Sequence, residues 1–231
     1  MSLSTEEWSA ILLSLRVGIV AVGVMLVPGV ACGWLLARRR FPGRAIVDAA
    51  VHLPLVLPPV VVGYLLLLSI GRRGWMGGWL YEHFGMDLAF TWKAAAIAST
   101  VMGFPLLVRA VRLAIEAVDP RLEDAALTLG ARPIRVFFTL TLPMAFPGVL
   151  AGMVMAFARS LGEFGATIMV AGNIEGVTRT IPLAIYSEVQ TPGGDAGALR
   201  LAVIAIVVSF LALLASEFLV RRFSRTAGGS T

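Results

Sequence analysis

Few residues in this chain have the chemistry of an active site, and they do not gather into one. His52 and His83 lie far apart, and Cys32, the single cysteine, sits within an apolar run with no partner for a disulfide or a metal. No His-Glu-x-x-His pair and no Gly-x-Ser-x-Gly elbow occurs, so neither a zinc-dependent nor a serine-nucleophile enzyme has its parts. The only lysine, Lys93, follows Trp92 rather than a glycine, so no Walker A loop is present to hold a nucleotide. What remains are charges and prolines in unusual places. Arg159 and Glu163 stand four residues apart inside an otherwise apolar stretch. A charge near the centre of a bilayer costs about 2.5–3.5 kcal/mol on insertion scales, so such a pair must face a helix bundle or a water-filled path. One reading makes it a structural pair that sets helix packing. The other places it beside a pathway with Ser160, Gly162, Gly165 and Thr167, the glycines letting the chain bend. Pro54, Pro58 and Pro59 remove backbone donors from a second apolar stretch and must kink or break it. Such a break is tolerated in a membrane where the freed carbonyls line a cavity, and a packing kink is the alternative. Asp48 and His52, also four apart, read as a satisfied polar pair rather than a proton relay, and His83 as a solvated loop residue.

The elements that must carry these residues are membrane spans. Of 231 residues 58% are apolar and 14% charged, with a mean hydropathy of +0.87, whereas a soluble domain carries about a quarter charged residues. A crossing helix needs roughly 20 apolar residues, so the chain has room for five or six crossings and no second soluble domain. A net charge of +5 belongs here to arginines flanking apolar runs, which are topology signals and not a nucleic-acid-binding face. The first run follows Glu6 and Glu7 and is too long for a signal-peptide core, so it is expected to be retained as a span. The expected architecture is all-α: one polytopic helical bundle, residues 1–231, with about five spans near 9–37, 45–70, 92–117, 143–171 and 199–220. Residues 71–91, with Trp75, Trp79 and Tyr81, suit a headgroup layer. Gly148 and Gly152 are spaced for close helix packing, and no internal repeat of the secondary-transporter kind is visible.

Orientation follows from the arginines. Placing the block Arg38-Arg39-Arg40, the polar stretch 119–142 and the C-terminal Arg221, Arg222 and Arg225 inside puts most basic residues on the cytoplasmic face. The N-terminus is then outside and the C-terminus cytoplasmic, with Arg72 and Arg73 on the disfavoured side. Within that polar stretch, Asp119 before Pro120 is a helix start and Gly130 a left-handed stop, which predicts a short helix over 120–129. Leu122, Ala126 and Leu129, with Ala125 alongside, give it one small apolar stripe. Too short to span, it must lie at the cytoplasmic surface, either on lipid headgroups or docked by its small face into a partner.

The string Glu123-Asp124-Ala125-Ala126-Leu127-Thr128-Leu129-Gly130, followed by Leu140, Leu142 and Pro143, resembles the EAA loop of binding-protein-dependent ABC importer permeases. Asp124 stands for the usual Glu and Leu140 for Ile. The resemblance implies that Glu123, Asp124, Ala125, Ala126, Leu129, Gly130 and Pro143 belong to a cytoplasmic coupling helix and its return, read by an ATPase subunit. Phe41-Pro42-Gly43-Arg44, the run from His52 through Leu57-Pro58-Pro59-Val60 to Tyr64, the run Ala158-Arg159-Ser160 to Ile168, and Thr178-Arg179-Thr180-Ile181-Pro182 with Gln190-Thr191-Pro192 look like molybdate permeases. Sulfate and thiosulfate permeases are similar around Gly162-Glu163-Phe164-Gly165.

The resemblance further implies the type I ABC importer permease fold in a bacterial inner membrane, surrounded by lipid. It implies a homodimer with two ATP-binding-cassette ATPases and one extracytoplasmic oxyanion-binding protein. Transport of molybdate or tungstate would be by alternating access. This chain would hold no cofactor and no metal of its own, ATP and Mg lying on the partner ATPase. In a path for oxyanions a carboxylate repels cargo unless neutralised, so Glu163 is read as shaping the gate with Arg159 rather than binding substrate, with Pro58 and Pro59 also on the path. A sulfate permease and a stand-alone channel or secondary carrier are the competing readings.

Overall fold

The structure, a computed structural model, describes residues 4–227, and among them every regular element is helical. The chain begins with α1 (Thr5–Arg38), whose first turn is closed by a capping box. Ser4 Oγ accepts from the Glu7 amide at 3.1 Å, and Glu7 Oε2 accepts from the Ser4 amide at 2.8 Å. Glu7 also accepts from Arg200 Nε at 2.7 Å, which ties this turn to the last helix of the bundle. At 1.5 Å per residue α1 is about 51 Å long, enough to cross the hydrocarbon core and project beyond it.

The expected second span is broken. Helices α2 (Arg44–Val56) and α3 (Pro59–Ile70) meet at a bend of 111°. Pro54 is accommodated inside α2, and the break falls at Leu57-Pro58, where two successive prolines withhold the amides that would continue the ladder. A short helix, α4 (Trp75–Phe84), follows, with Trp75 and Trp79 exposed and Arg72 stacked 3.8 Å over the Tyr81 ring. His83 is not a free loop residue: its ring lies in α4, stacked on Trp79 at 4.8 Å.

Helix α5 (Trp92–Glu116) is the centre of the bundle, with twelve buried residues. Small residues let its neighbours close on it. A Cβ added at Gly33 would lie 2.7 Å from Val111, and one at Gly29 2.7 Å from Leu107, so α1 and α5 approach at backbone distance.

After α6 (Pro120–Thr128) and α7 (Pro133–Val136), the chain passes through one wide π turn, Phe137–Thr141, into α8 (Leu142–Leu161). Pro143 has no amide for the Thr139 carbonyl and its ring crowds it, and the Leu142 amide reaches back to Phe137 instead. Here the structure differs from the expected 143–171 span: the continuous apolar helix is Pro133–Leu161. It starts ten residues earlier because Ile134, Val136 and Phe137 extend the apolar surface through the wide turn. It stops at Leu161 because Gly162 leaves the helical path. Gly148 and Gly152 do mediate close packing, against Ala114 and Ala110 of α5.

Beyond the break lie α9 (Gly165–Ala171), α10 (Ile181–Gln190) and α11 (Asp195–Ala227). The N-terminal amide of α10 is anchored by Ser14 Oγ of α1, 2.7 Å from Ile181 N. Among the described residues four helices are long and apolar enough to cross a membrane, and the number is five where the bent α2–α3 pair is counted as one broken span. The side chains of Arg221, Arg222 and Arg225, counted as cytoplasmic from the sequence, lie outside the described residues.

Candidate functional site

Asp119 caps α6 by accepting from the Arg121 amide at 2.9 Å, and Gly130 closes it at φ +88°, a conformation that suits glycine because it has no Cβ. The helix ends at Thr128, with Leu129 as its cap. Its two faces are distinct. Glu123 and Ala126 turn towards the bundle and are half-buried, whereas Leu122, Asp124, Ala125 and Leu129 are exposed, Leu129 at 88%. The apolar stripe open to a partner is therefore Leu122, Ala125 and Leu129, and Ala126 supports it from behind. Pro143, on the first turn of α8, is exposed.

Glu123 does not reach outward. Arg38, on the last turn of α1, donates to Glu123 Oε1 from Nε at 3.2 Å and from Nη2 at 3.0 Å, with Nε also 3.0 Å from Oε2. Arg38 Nη2 further donates to the Val118 carbonyl at 2.9 Å, and Thr141 Oγ1 donates to Glu123 Oε1 at 2.6 Å. One carboxylate thus fastens α6 to the end of α1 and to the turn that opens α8. Charge-assisted bonds of this kind are about twice as strong as neutral ones. The sequence reading missed Arg38 and Thr141. Arg38 was absorbed into a basic block, and Thr141 fills the open position between Leu140 and Leu142 of the motif, so the only available signal was its hydroxyl.

At the opposite end of α8 lies the second set. Ser160 is buried and spends its hydroxyl on the Ala156 carbonyl at 2.8 Å. Glu163 is not on the helix with Arg159, as its i+4 spacing implied, but in the break that follows it. Its Oε1 accepts from the Ala166 amide at 2.8 Å, so it caps α9. Its Oε2 lies 2.6 Å from Arg159 Nη1, a charge contact whose angles fall outside hydrogen-bond geometry. The Glu163 side chain is 1% exposed and that of Arg159 27%. A buried carboxylate is thereby neutralised by a cation that is itself partly exposed.

α9 then crosses α3 at backbone distance. A Cβ on Gly63 would lie 2.6 Å from the Ala166 carbonyl, and one on Gly165 2.8 Å from Pro59 Cβ. Gly165 serves close packing here, while Gly162 stands exposed with open space around it. Thr167 is buried, and Pro58 and Pro59 remain exposed at the bend of α2–α3. Phe164 packs on Tyr186 of α10 with ring centroids 5.2 Å apart.

Asp48 and His52 belong to neither set. Asp48 is 3.0 Å from Arg112, Arg112 is 2.9 Å from Glu116, and the His52 Nδ1–H donates to the Asp48 carbonyl at 2.8 Å. These groups line an open cavity of about 500 Å3 between α2 and α5, together with Arg109. Among the described residues no group of three or more His, Cys, Asp or Glu gathers to hold a metal ion.

Comparison with known proteins fits this geometry. Residues 29–225 match the family described as binding-protein-dependent transport system inner membrane component. The molybdenum transport system permease protein ModB of Escherichia coli K12 is 57% identical over 228 residues, 99% of this chain and 100% of its own length. The sulfate transport system permease protein CysW of Synechocystis is 35% identical over 206 residues, 88% of this chain and 74% of its own. A crystal structure of a bacterial alginate ABC transporter superposes with a TM-score of 0.76 at 18% identity, covering 96% of this chain and 81% of the other. The helical architecture is that of type I ABC importer permeases, and the chain belongs to the family of binding-protein-dependent transport system inner membrane components.

Proposed function

We propose that this chain is the membrane permease of an ATP-driven importer of molybdate, with tungstate as a chemically equivalent cargo. It works as a homodimer in a bacterial inner membrane, N-terminus outside and C-terminus cytoplasmic. Each copy presents α6 to one ATP-binding-cassette ATPase, which holds ATP and Mg, and an extracytoplasmic binding protein delivers the oxyanion. The observation that carries the substrate is the 57% identity to a molybdenum permease along 99% of the chain.

The geometry supplies a route for the work. Closure of the ATPases moves the exposed stripe Leu122, Ala125 and Leu129. The Arg38–Glu123–Thr141 clamp passes that displacement to α1 and α8, because α6 cannot rotate without breaking it. The 20-residue α8, about 30 Å long, carries the motion to Arg159 and Glu163 at its far end. Glu163 caps α9, and α9 is locked against α3 through Gly63 and Gly165, so the prolines at the bend move with it. Pro58, Pro59, Arg159, Ser160, Gly162, Glu163, Gly165 and Thr167 thus form or support the gate. Such a chain of contacts becomes a coupling path only if both ends bias it, which the variants below test.

A sulfate permease is the second reading, favoured by the 35% identity to a cyanobacterial sulfate permease. Purifying the chain with its ATPase and binding protein into liposomes, and measuring hydrolysis with each oxyanion, separates the two. Molybdate and tungstate should stimulate hydrolysis and sulfate should not. Stimulation by sulfate alone would replace the first reading with the second.

A further inference from the structure

Between α1 and the α7–α8 helix run two adjoining apolar cavities of about 380 and 410 Å3. Val27, Ala31, Trp34, Phe137 and Phe138 form their walls, with Ile134 at one end. Trp34 meets Phe137 edge-on at 5.8 Å, and Phe137 meets Phe138 edge-on at 5.0 Å, so the walls are held rigid by aromatic packing. Val27, Ile134 and Phe138 are more than half exposed. Along α1 the seam runs from Trp34 to Leu26, about 12 Å, most of the depth of one leaflet of a hydrocarbon core roughly 30 Å thick.

The mouth of this seam is cationic. The Arg39 guanidinium stacks 5.6 Å over the Trp34 ring. Arg132 and Arg135 are exposed and flank Pro133 and Ile134, which line the groove. None of these three arginines pairs with a carboxylate among the described residues. The mouth lies at the level of α6, since the neighbouring Arg38 holds Glu123. An apolar slot one leaflet deep, capped by unneutralised arginines at the membrane surface, fits one class of molecule. Its acyl chain fills the slot and its anionic headgroup meets the cations.

We propose that the α1–α8 seam is a binding site for an anionic phospholipid, on the leaflet that faces the coupling helix. The site is separate from the transport path and does not depend on which oxyanion is carried. Its occupant braces the wide turn before α8 against the end of α1.

Trp34 is a built-in probe. The full-length chain is placed in bilayers containing increasing fractions of phosphatidylglycerol or phosphatidylcholine with brominated acyl chains. The quenching due to Trp34 is taken as the difference from Trp34→Phe. Half-maximal quenching should occur at about five-fold lower mole fraction for the brominated phosphatidylglycerol, the ratio expected from one additional arginine–headgroup contact near a membrane surface. The triple variant Arg39→Gln/Arg132→Gln/Arg135→Gln should bring the two curves together while Trp34 remains quenchable. Identical curves for the unaltered chain would overturn the proposal. So would absence of quenching by either lipid, since the groove would then be covered by a second copy of the chain.

Discussion

If Glu123 is an internal fastening rather than an ATPase contact, Arg38→Ala and Glu123→Gln must damage the same interaction. Their side chains are 15% and 16% exposed, so solvent replaces the lost bonds only in part. Hydrogen bonds to charged groups contribute about 1.5–3 kcal/mol each, and partial exposure reduces the net effect of the pair to about 1.5 kcal/mol. Without the clamp, α6 is a nine-residue helix, shorter than the roughly 12–15 residues at which isolated helices become marginally stable. Its ordering cost then falls on ATPase binding. The assay is the dissociation constant of the partner ATPase for the permease in nanodiscs, measured for the unaltered chain, both single variants and the double. Each single change should weaken binding about tenfold, and the double should weaken it about tenfold as well, not a hundredfold. Asp124→Asn, on the exposed side of α6, should instead multiply with Arg38→Ala. Multiplicative effects of Arg38→Ala and Glu123→Gln would refute the clamp.

Other variants address the far end of α8 and the packing. Gly63→Ala places a methyl 2.6 Å from the Ala166 carbonyl and should cost about 1–3 kcal/mol of thermal stability together with most uptake, because α3 must back away from α9. Gly23→Ala, with open space around it, should leave uptake unchanged and shift the unfolding temperature slightly upwards. Glu163→Gln keeps an acceptor for the Ala166 amide but removes the charge facing Arg159, so the protein should assemble while molybdate uptake falls about tenfold. Unchanged uptake in that variant would remove Glu163 from the gate. Ser14→Ala leaves the buried Ile181 amide unpaired and should cost about 1–3 kcal/mol, read as a lower unfolding temperature of the assembly.

The all-helical membrane architecture was legible because apolar runs of about twenty residues have few alternatives in a bilayer. The bounds of the fourth helix were not. Arg132 and Arg135 made residues 119–142 read as one polar insert, although Ile134, Val136 and Phe137 in the same stretch belong to the apolar helix surface. At Glu163 the i+4 spacing foretold the contact with Arg159 but not its setting, since Gly162 ends the helix between the two charges. Local chemistry fared better: the Asp119 cap and the left-handed Gly130 follow from what those residues do to a backbone anywhere. The phase of α6 was beyond reach, because a nine-residue helix with Leu122, Ala125, Ala126 and Leu129 has two plausible docking faces. The choice is made by Arg38, 85 residues away in sequence.

The most direct test is where a thiol at position 129 lands. In a Cys32→Ser background, Leu129→Cys treated with a thiol-to-amine cross-linker that carries a reducible disulfide should become joined to the ATPase subunit in membranes, with molybdate uptake blocked and then restored on reduction. Labelling of that thiol by an impermeant maleimide added to the outside of intact cells would contradict the account.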